Sequence, residues 1–270
     1  MLDVLAYLER IAYRGALAPD IATLQALHLA HATHIPFENL DILLDRPILL
    51  DLGSLQSKLV DARRGGYCYE HNTLFASVLR EIGFSVTPLA ARVRHRQTTL
   101  LPRTHMCLRV RIDDTDWIVD VGFGGEGLLL PVPMTERPAQ QYLWTYRVIE
   151  ESPGQHVLQS ARGETWTDLY AFSMEPQEHV DFEVANYYVS THPRSIFVRT
   201  LTVQLPSPER RQILRDRELI VETEDSIKTD VINNEQALLE VLRENFGLQF
   251  AADTRFNNVF DERRTYADVG

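Results

Sequence analysis

Two cysteines, Cys68 and Cys107, and nine histidines give this chain its widest choice of chemistry, and their neighbours narrow it. Cys68 stands between the pair Gly65 and Gly66 and the start of an apolar-striped segment. At such a junction, free backbone N–H groups and the positive end of a helix dipole stabilise a thiolate. The same N–H groups can receive the oxyanion formed when the sulfur attacks a carbonyl, and the glycines let the chain turn sharply and present the sulfur. The commoner fate of a cysteine, a small buried apolar residue, is the competing reading.

A thiolate catalyst needs a histidine, and the histidine needs a group that fixes its tautomer. In HMCLRVRIDDTDWIVDVG, residues 105–122, a hairpin turning at Asp113 and Asp114 sets Met106, Leu108, Val110 and Ile112 opposite Val121, Val119, Trp117 and Thr115. That makes one apolar face. The other face then holds His105, Cys107 and Asp120, with Asp120 across from Cys107 and diagonal to His105, in reach of the imidazole.

The remaining histidines read as structural or solvated. His28, His31 and His34 line a half-buried helical segment, and His71 lies one turn past Cys68 on a helix surface. Cys68 with His71 and His105 with Cys107 offer four zinc-ligand types, yet closed zinc sites pair ligands at C-x₂₋₄-C or H-x₃₋₅-H spacing, so no metal is expected. Gly122, Gly124 and Gly127 satisfy GxGxxG after a strand, but that fingerprint needs a helix next, and Pro131 and Pro133 follow instead. The run reads as a flexible loop whose backbone could approach a phosphate or pantetheine chain.

Helices and strands must position these groups. Leu5, Leu8 and Ile11 before Gly15, Leu24, Leu27 and His31 after Asp20, and Leu55, Leu59 and Val60 after a cap at Asp51 predict three short amphipathic helices. A fourth runs from Tyr69 to Ile82 and stops at Gly83. From Phe84 to Leu205 the period becomes that of strands, in FSVTPLAARV, HMCLRVRI, WIVDVGF, YLWTYRVI, HVLQSA and SIFVRTLTV, predicting a meander or barrel. ELIVET and an amphipathic helix from Asn234 to Phe246 follow. The expected class is α+β: a helical bundle over 1–85 carrying Cys68, a meander or barrel over 86–205 carrying His105 and Asp120, and an α+β tail over 206–270.

Composition removes other functions. The 270 residues are 44% hydrophobic and 24% charged, as in a soluble globular chain. With 27 basic and 38 acidic residues the net charge is −11, which argues against nucleic acid and anionic membranes as partners. The only lysines, Lys58 and Lys228, do not follow glycine, so a P-loop is absent. No apolar run approaches the ~18 residues of a membrane span, and the start MLDVLAYLER carries acids where a secretory signal needs a basic stretch, so a cytoplasmic location is expected.

IPFENLD at 35–41, RRGGYCYEHN at 63–72, THMCLRV at 104–110, VDVGFGG at 119–125 and NYYVSTHPRSIF at 186–197 occur in this order. Together they resemble the arylamine N-acetyltransferase family. The resemblance implies a helical bundle, a β-barrel and a C-terminal α/β lid around a Cys-His-Asp core like that of cysteine proteases. It implies a catalytic triad of Cys68, His105 and Asp120, with no metal. Acetyl-CoA would act as co-substrate, passing acetyl to Cys68 and then, in ping-pong order, to an arylamine, an arylhydrazine or an N-hydroxyarylamine. Thr104, Gly125 and Gly127 fall where the family brings CoA near the nucleophile, and Phe37, Val93, Phe123 and Phe197 fall in its apolar acceptor pocket. The partners implied are small molecules; a homo-oligomer stays open. An amide synthase closing polyketide macrocycles or a cysteine hydrolase would use the same triad, whereas a binding module would have no use for an activated thiol.

Overall fold

The structure is a computed structural model describing residues 2–260. The last part of the expected 206–270 unit, residues 261–270, lies outside the described residues. In the N-terminal third, α1 (Val4–Arg10), α2 (Ile21–His34) and α3 (Leu52–Leu55), which runs on as a π-helical turn over Gln56–Asp61, gather around α4 (Cys68–Ile82). Their starts follow from local chemistry: Asp3, Asp20 and Asp51 accept the N–H groups of Ala6, Thr23 and Ser54. α4 ends at Gly83, whose φ of 106° a side chain would strain. Burial of α4 goes beyond its apolar stripe. His71, expected on a surface, is fully buried because α2 covers that flank and His31 hydrogen-bonds to it.

Eight antiparallel strands form the second layer: β2 (Ser85–Val93), β3 (His105–Ile112), β4 (Thr115–Val119), β5 (Val132–Pro133), β6 (Ala139–Gln141), β7 (Trp144–Ser152), β8 (Gln155–Arg162) and β9 (Thr165–Pro176). Their order is β5-β4-β3-β2-β9-β8-β7-β6. The Val148 N–H of β7 reaches the Thr135 carbonyl just past β5, so the sheet nearly closes into a barrel. β3 and β4 pair Leu108 with Val119, Val110 with Trp117 and Ile112 with Thr115, the register set by a turn at Asp113 and Asp114. Met106, Leu108, Val110, Val119 and Val121 join the helical core, while Cys107 and Ile118 join the barrel interior.

The barrel is shorter than 86–205. β9 ends at Pro176, and α5 (His179–Thr191) and α6 (Ile196–Arg199) return to the helical core through Phe182, Val189, Phe197 and Val198. SIFVRTLTV, read as one strand, is split: the Ser195 hydroxyl caps α6 by accepting the Phe197 N–H, and only from Thr202 is the chain extended.

The second sheet contains β10 (Thr202–Pro206), β11 (Arg210–Arg215), β12 (Glu218–Thr223) and β13 (Ile227–Val231), antiparallel throughout. Its first strand, β1 (Phe37–Glu38), comes from the segment after α2, and Phe37 pairs with Gln204. α7 (Glu235–Phe246), capped by Asn234 and ended by Gly247, lays Leu238, Leu242 and Phe246 over Val203, Leu214 and Leu219. Among the described residues no helix is long and apolar enough to cross a membrane.

Candidate active site

Cys68 is the first residue of α4. The helical ladder opens with the His71 N–H on the Tyr67 carbonyl at 3.0 Å, so the N–H groups of Cys68, Tyr69 and Glu70 precede it and point out of the helix start. Buried charges hold the turn that leads there. Arg64 donates to Glu38 through Nε at 3.0 Å and Nη2 at 2.6 Å and reaches Asp41 at 3.2 Å; Lys58 bridges Asp41 at 2.8 Å and Glu70 at 2.7 Å. Glu70 in turn accepts the Tyr67 N–H at 3.0 Å. Gly65 passes so close to the next segment that a Cβ would lie 1.9 Å from the Pro36 carbonyl oxygen.

His105 opens β3 and Asp120 follows β4. Nε2 of His105 donates to Asp120 Oδ2 at 2.7 Å, and Oδ1 accepts Asn72 Nδ2 and the Gly122 N–H, each at 2.9 Å. Asn72, one helical turn after Cys68, also donates to the Met106 carbonyl at 2.8 Å and accepts the Val121 N–H at 3.2 Å. One helix therefore positions the thiol, the strand bearing the imidazole and the loop bearing the carboxylate. Cys68, His105 and Asp120 are 3%, 4% and 1% exposed.

Burial opposes charge on both partners, and their contact overrides it. Desolvation favours a neutral Asp120, but His105, Asn72 and the Gly122 N–H hold its carboxyl below the usual range. Desolvation likewise favours a neutral His105, yet Asp120 first and the Cys68 sulfur second raise its pKa to about 10. With Nε2 committed to Asp120, Nδ1 is the nitrogen left to exchange a proton with that sulfur. Cys107 differs: burial and then Asp120 push its thiol well up, and it packs in the barrel interior.

The other expected residues divide. The Thr104 carbonyl lies 4.0 Å from Cys68 Sγ. Gly125 donates its N–H to Gln204 Oε1 and Gly127 donates to the Gly124 carbonyl at 2.9 Å, so both N–H groups are engaged within the protein. Phe37 and Phe197 meet at 5.9 Å between ring centroids, and Phe197 stands edge-on to Tyr67 at 5.5 Å. Phe123 stands edge-on to the His105 imidazole at 5.2 Å. Val93 does not join these rings directly; it pairs across strands with Tyr170, which packs on both His105 and Phe123.

A family model described as N-acetyltransferase matches residues 20–255. The arylamine N-acetyltransferase of Mycolicibacterium smegmatis is 41% identical over 254 residues, covering 92% of this chain and 92% of that protein. The chain belongs to the arylamine N-acetyltransferase family. A solved arylamine N-acetyltransferase of this family, that of Mycobacterium marinum in complex with CoA, superposes with a TM-score of 0.86 at 37% identity over 91% of this chain and 93% of that one. The proansamycin X synthase of Amycolatopsis mediterranei is 31% identical over 187 residues, 68% of this chain and 72% of that protein. The bundle, barrel and C-terminal α/β unit implied by the resemblance are the architecture described above.

Sequence reasoning overlooks Asn72 and Tyr170, and reads His28 as structural or solvated. Asn72 carries a usable signal, a polar residue four positions after the cysteine on a helix covered on both flanks. Tyr170 carries none, because an aromatic in a strand reads as packing.

Proposed function

We propose that this protein transfers the acetyl group of acetyl-CoA to the nitrogen of arylamines and arylhydrazines, and to the oxygen of N-hydroxyarylamines, through a thioester on Cys68. The family and the CoA complex of a relative support acetyl transfer. The observation that carries the mechanism is the 2.7 Å contact of His105 Nε2 with Asp120, which fixes the imidazole so that Nδ1 serves the thiol.

In this reading His105 holds the Cys68 proton, and the thiolate attacks the acetyl carbonyl. The oxyanion is received by the N–H groups at the start of α4, the carbon–sulfur bond to CoA breaks, and the departing thiolate takes the proton from Nδ1. The amine then attacks the thioester, His105 accepts its proton, and Cys68 is restored. Asp120 keeps the imidazole oriented and stabilises its charge. CoA approaches past Thr104 and the loop of Gly125 and Gly127, and the acceptor lies against Phe37, Phe123 and Phe197, with Val93 behind. A location in the cytoplasm suits small-molecule partners and a reduced thiol.

Amide synthesis is the second reading, favoured by the similarity to proansamycin X synthase but with lower identity and coverage than the N-acetyltransferases. Intact-protein mass spectrometry after mixing with acetyl-CoA tests the proposal. A single acetyl adduct on Cys68, stable in water and removed by an arylamine, is expected; it should be absent in Cys68→Ser and retained in Cys107→Ser. An adduct lost to water as fast as it forms would make the protein a hydrolase.

A further inference from the structure

The segment from Asp120 to Leu129 carries the carboxylate and Phe123 and contains neither helix nor strand. Its two ends are joined through one side chain. His28, fully buried on α2, accepts the Asp120 N–H on Nε2 at 3.3 Å and donates from Nδ1 to the Leu129 carbonyl at 3.0 Å. A carbonyl oxygen accepts and a backbone N–H donates, so one ring form satisfies both: neutral, protonated on Nδ1 and bare on Nε2.

Burial favours that neutral form, holding the His28 pKa down at about 4 although the Leu129 carbonyl and Asp120 favour charge. The titratable groups facing His28 are Asp120 from the loop and His31 from its own helix, while α4 presents the edge of Phe75 at 6.0 Å. The two ends of the loop are also held separately. Asn72 takes the Val121 N–H at the entrance, and Gln141 Oε1 takes the N–H groups of Leu129 and Leu130 at 3.1 and 2.9 Å at the exit. His28 is the bond between the two ends.

We propose that His28 is a positioning residue of the active site: by tying the Asp120 N–H to the Leu129 carbonyl it sets the Asp120 carboxylate against His105 and Phe123 against the imidazole. It acts through Asp120 on the Cys68 and His105 pair and makes no contact with substrate. The inference rests on the reading of Cys68, His105 and Asp120 as a triad.

His28→Leu removes both hydrogen bonds, whereas His28→Gln keeps one acceptor and one donor. The Leu variant should acetylate Cys68 from acetyl-CoA at least roughly tenfold more slowly, the loss usual when a group orienting an active-site residue is removed. The fall should be in kcat, with KM for acetyl-CoA little changed. The pH midpoint of Cys68 alkylation by iodoacetamide should move upward, because a loosened Asp120 supports the imidazolium less well. His28→Gln should restore both. A Leu variant that only melts earlier, with the alkylation midpoint unmoved, would overturn the proposal. Should that variant not fold, long-range proton–nitrogen NMR of the unaltered protein decides. A neutral His28 ring with its proton on Nδ1 is required near neutral pH, and the opposite tautomer or a charged ring overturns it. If the unaltered protein takes up no acetyl, the functional reading fails, while alkylation and NMR still judge His28.

Discussion

Asp120 accepts hydrogen bonds from His105, Asn72 and Gly122, and each donor answers to a different part of the chain. Asp120→Asn gives that position an amide with two donors of its own, so one existing donor must turn away and the His105 tautomer is no longer enforced. Turnover of an arylamine should fall by on the order of 10³–10⁴, and the melting temperature should fall as well, because the buried His105 imidazolium loses the carboxylate that stabilises it; steady-state kinetics beside thermal unfolding measure the two effects. Asn72→Ala should act on both, because it leaves Asp120 Oδ1 short of a donor and the Val121 N–H buried without an acceptor. A loss of about 1–3 kcal/mol in urea unfolding is expected, together with slower acetylation. Gly122→Ala is harsher still: its Cβ would stand 2.8 Å from the Cys68 Cα, so the loop must move away from Cys68. The chain itself announces Cys68, His105 and Asp120, because type, neighbours and strand alternation agree at those positions. Asn72 escapes notice and His28 reads only as structural or solvated, because the hydrogen bonds they make to the loop come from the packing of α4 and α2 against it.

The start of α4 is held by charge as much as by apolar packing. Lys58 stands between Asp41 and Glu70, and burial drives the Glu70 carboxyl upward even with that ammonium beside it. Lys58→Met would leave the buried Glu70 carboxyl without its cation, while Asp41 keeps Arg64, at a cost of about 3–5 kcal/mol. The denaturation midpoint should drop accordingly, and adding Glu70→Gln should recover part of the loss; no recovery would mean that the pair is not coupled. The helices α1, α2, α4 and α7 and the hairpin of β3 and β4 can be read from periodicity and caps because their determinants are local. α6 cannot, since its apolar and β-branched residues suggest a strand until the Ser195 cap is seen. β1 cannot either, because two residues become a strand only when β10 arrives beside them.

Acid should unfold this protein through its buried imidazoles. Desolvation lowers His28 and His71 to about 4, and lowers His31 further. Unfolded histidines titrate near ~6.5, so between ~6.5 and ~4 the unfolded chain binds protons that the folded one excludes. Stability is therefore lost as pH falls through that window, by on the order of 3 kcal/mol each for His28 and His71 at its acid end, a large share of the stability of a typical domain. Glu70, raised by burial, offsets part of this. His105, raised to about 10, is charged in both states below ~6.5 and contributes stability that fades only as pH climbs toward its folded value. A melting temperature that stays flat from roughly pH 7 to 4.5 would contradict this account. The pairing of Phe37 with Gln204 also has a consequence in time. During synthesis a ribosome delivers Cys68, His105 and Asp120 well before it delivers the strand that fixes Phe37. At ~5–20 residues per second, that interval lasts on the order of 10 s. A nascent chain in that interval, or a product of premature termination before Gln204, holds Cys68, His105 and Asp120 but lacks the partner strand that pairs with Phe37.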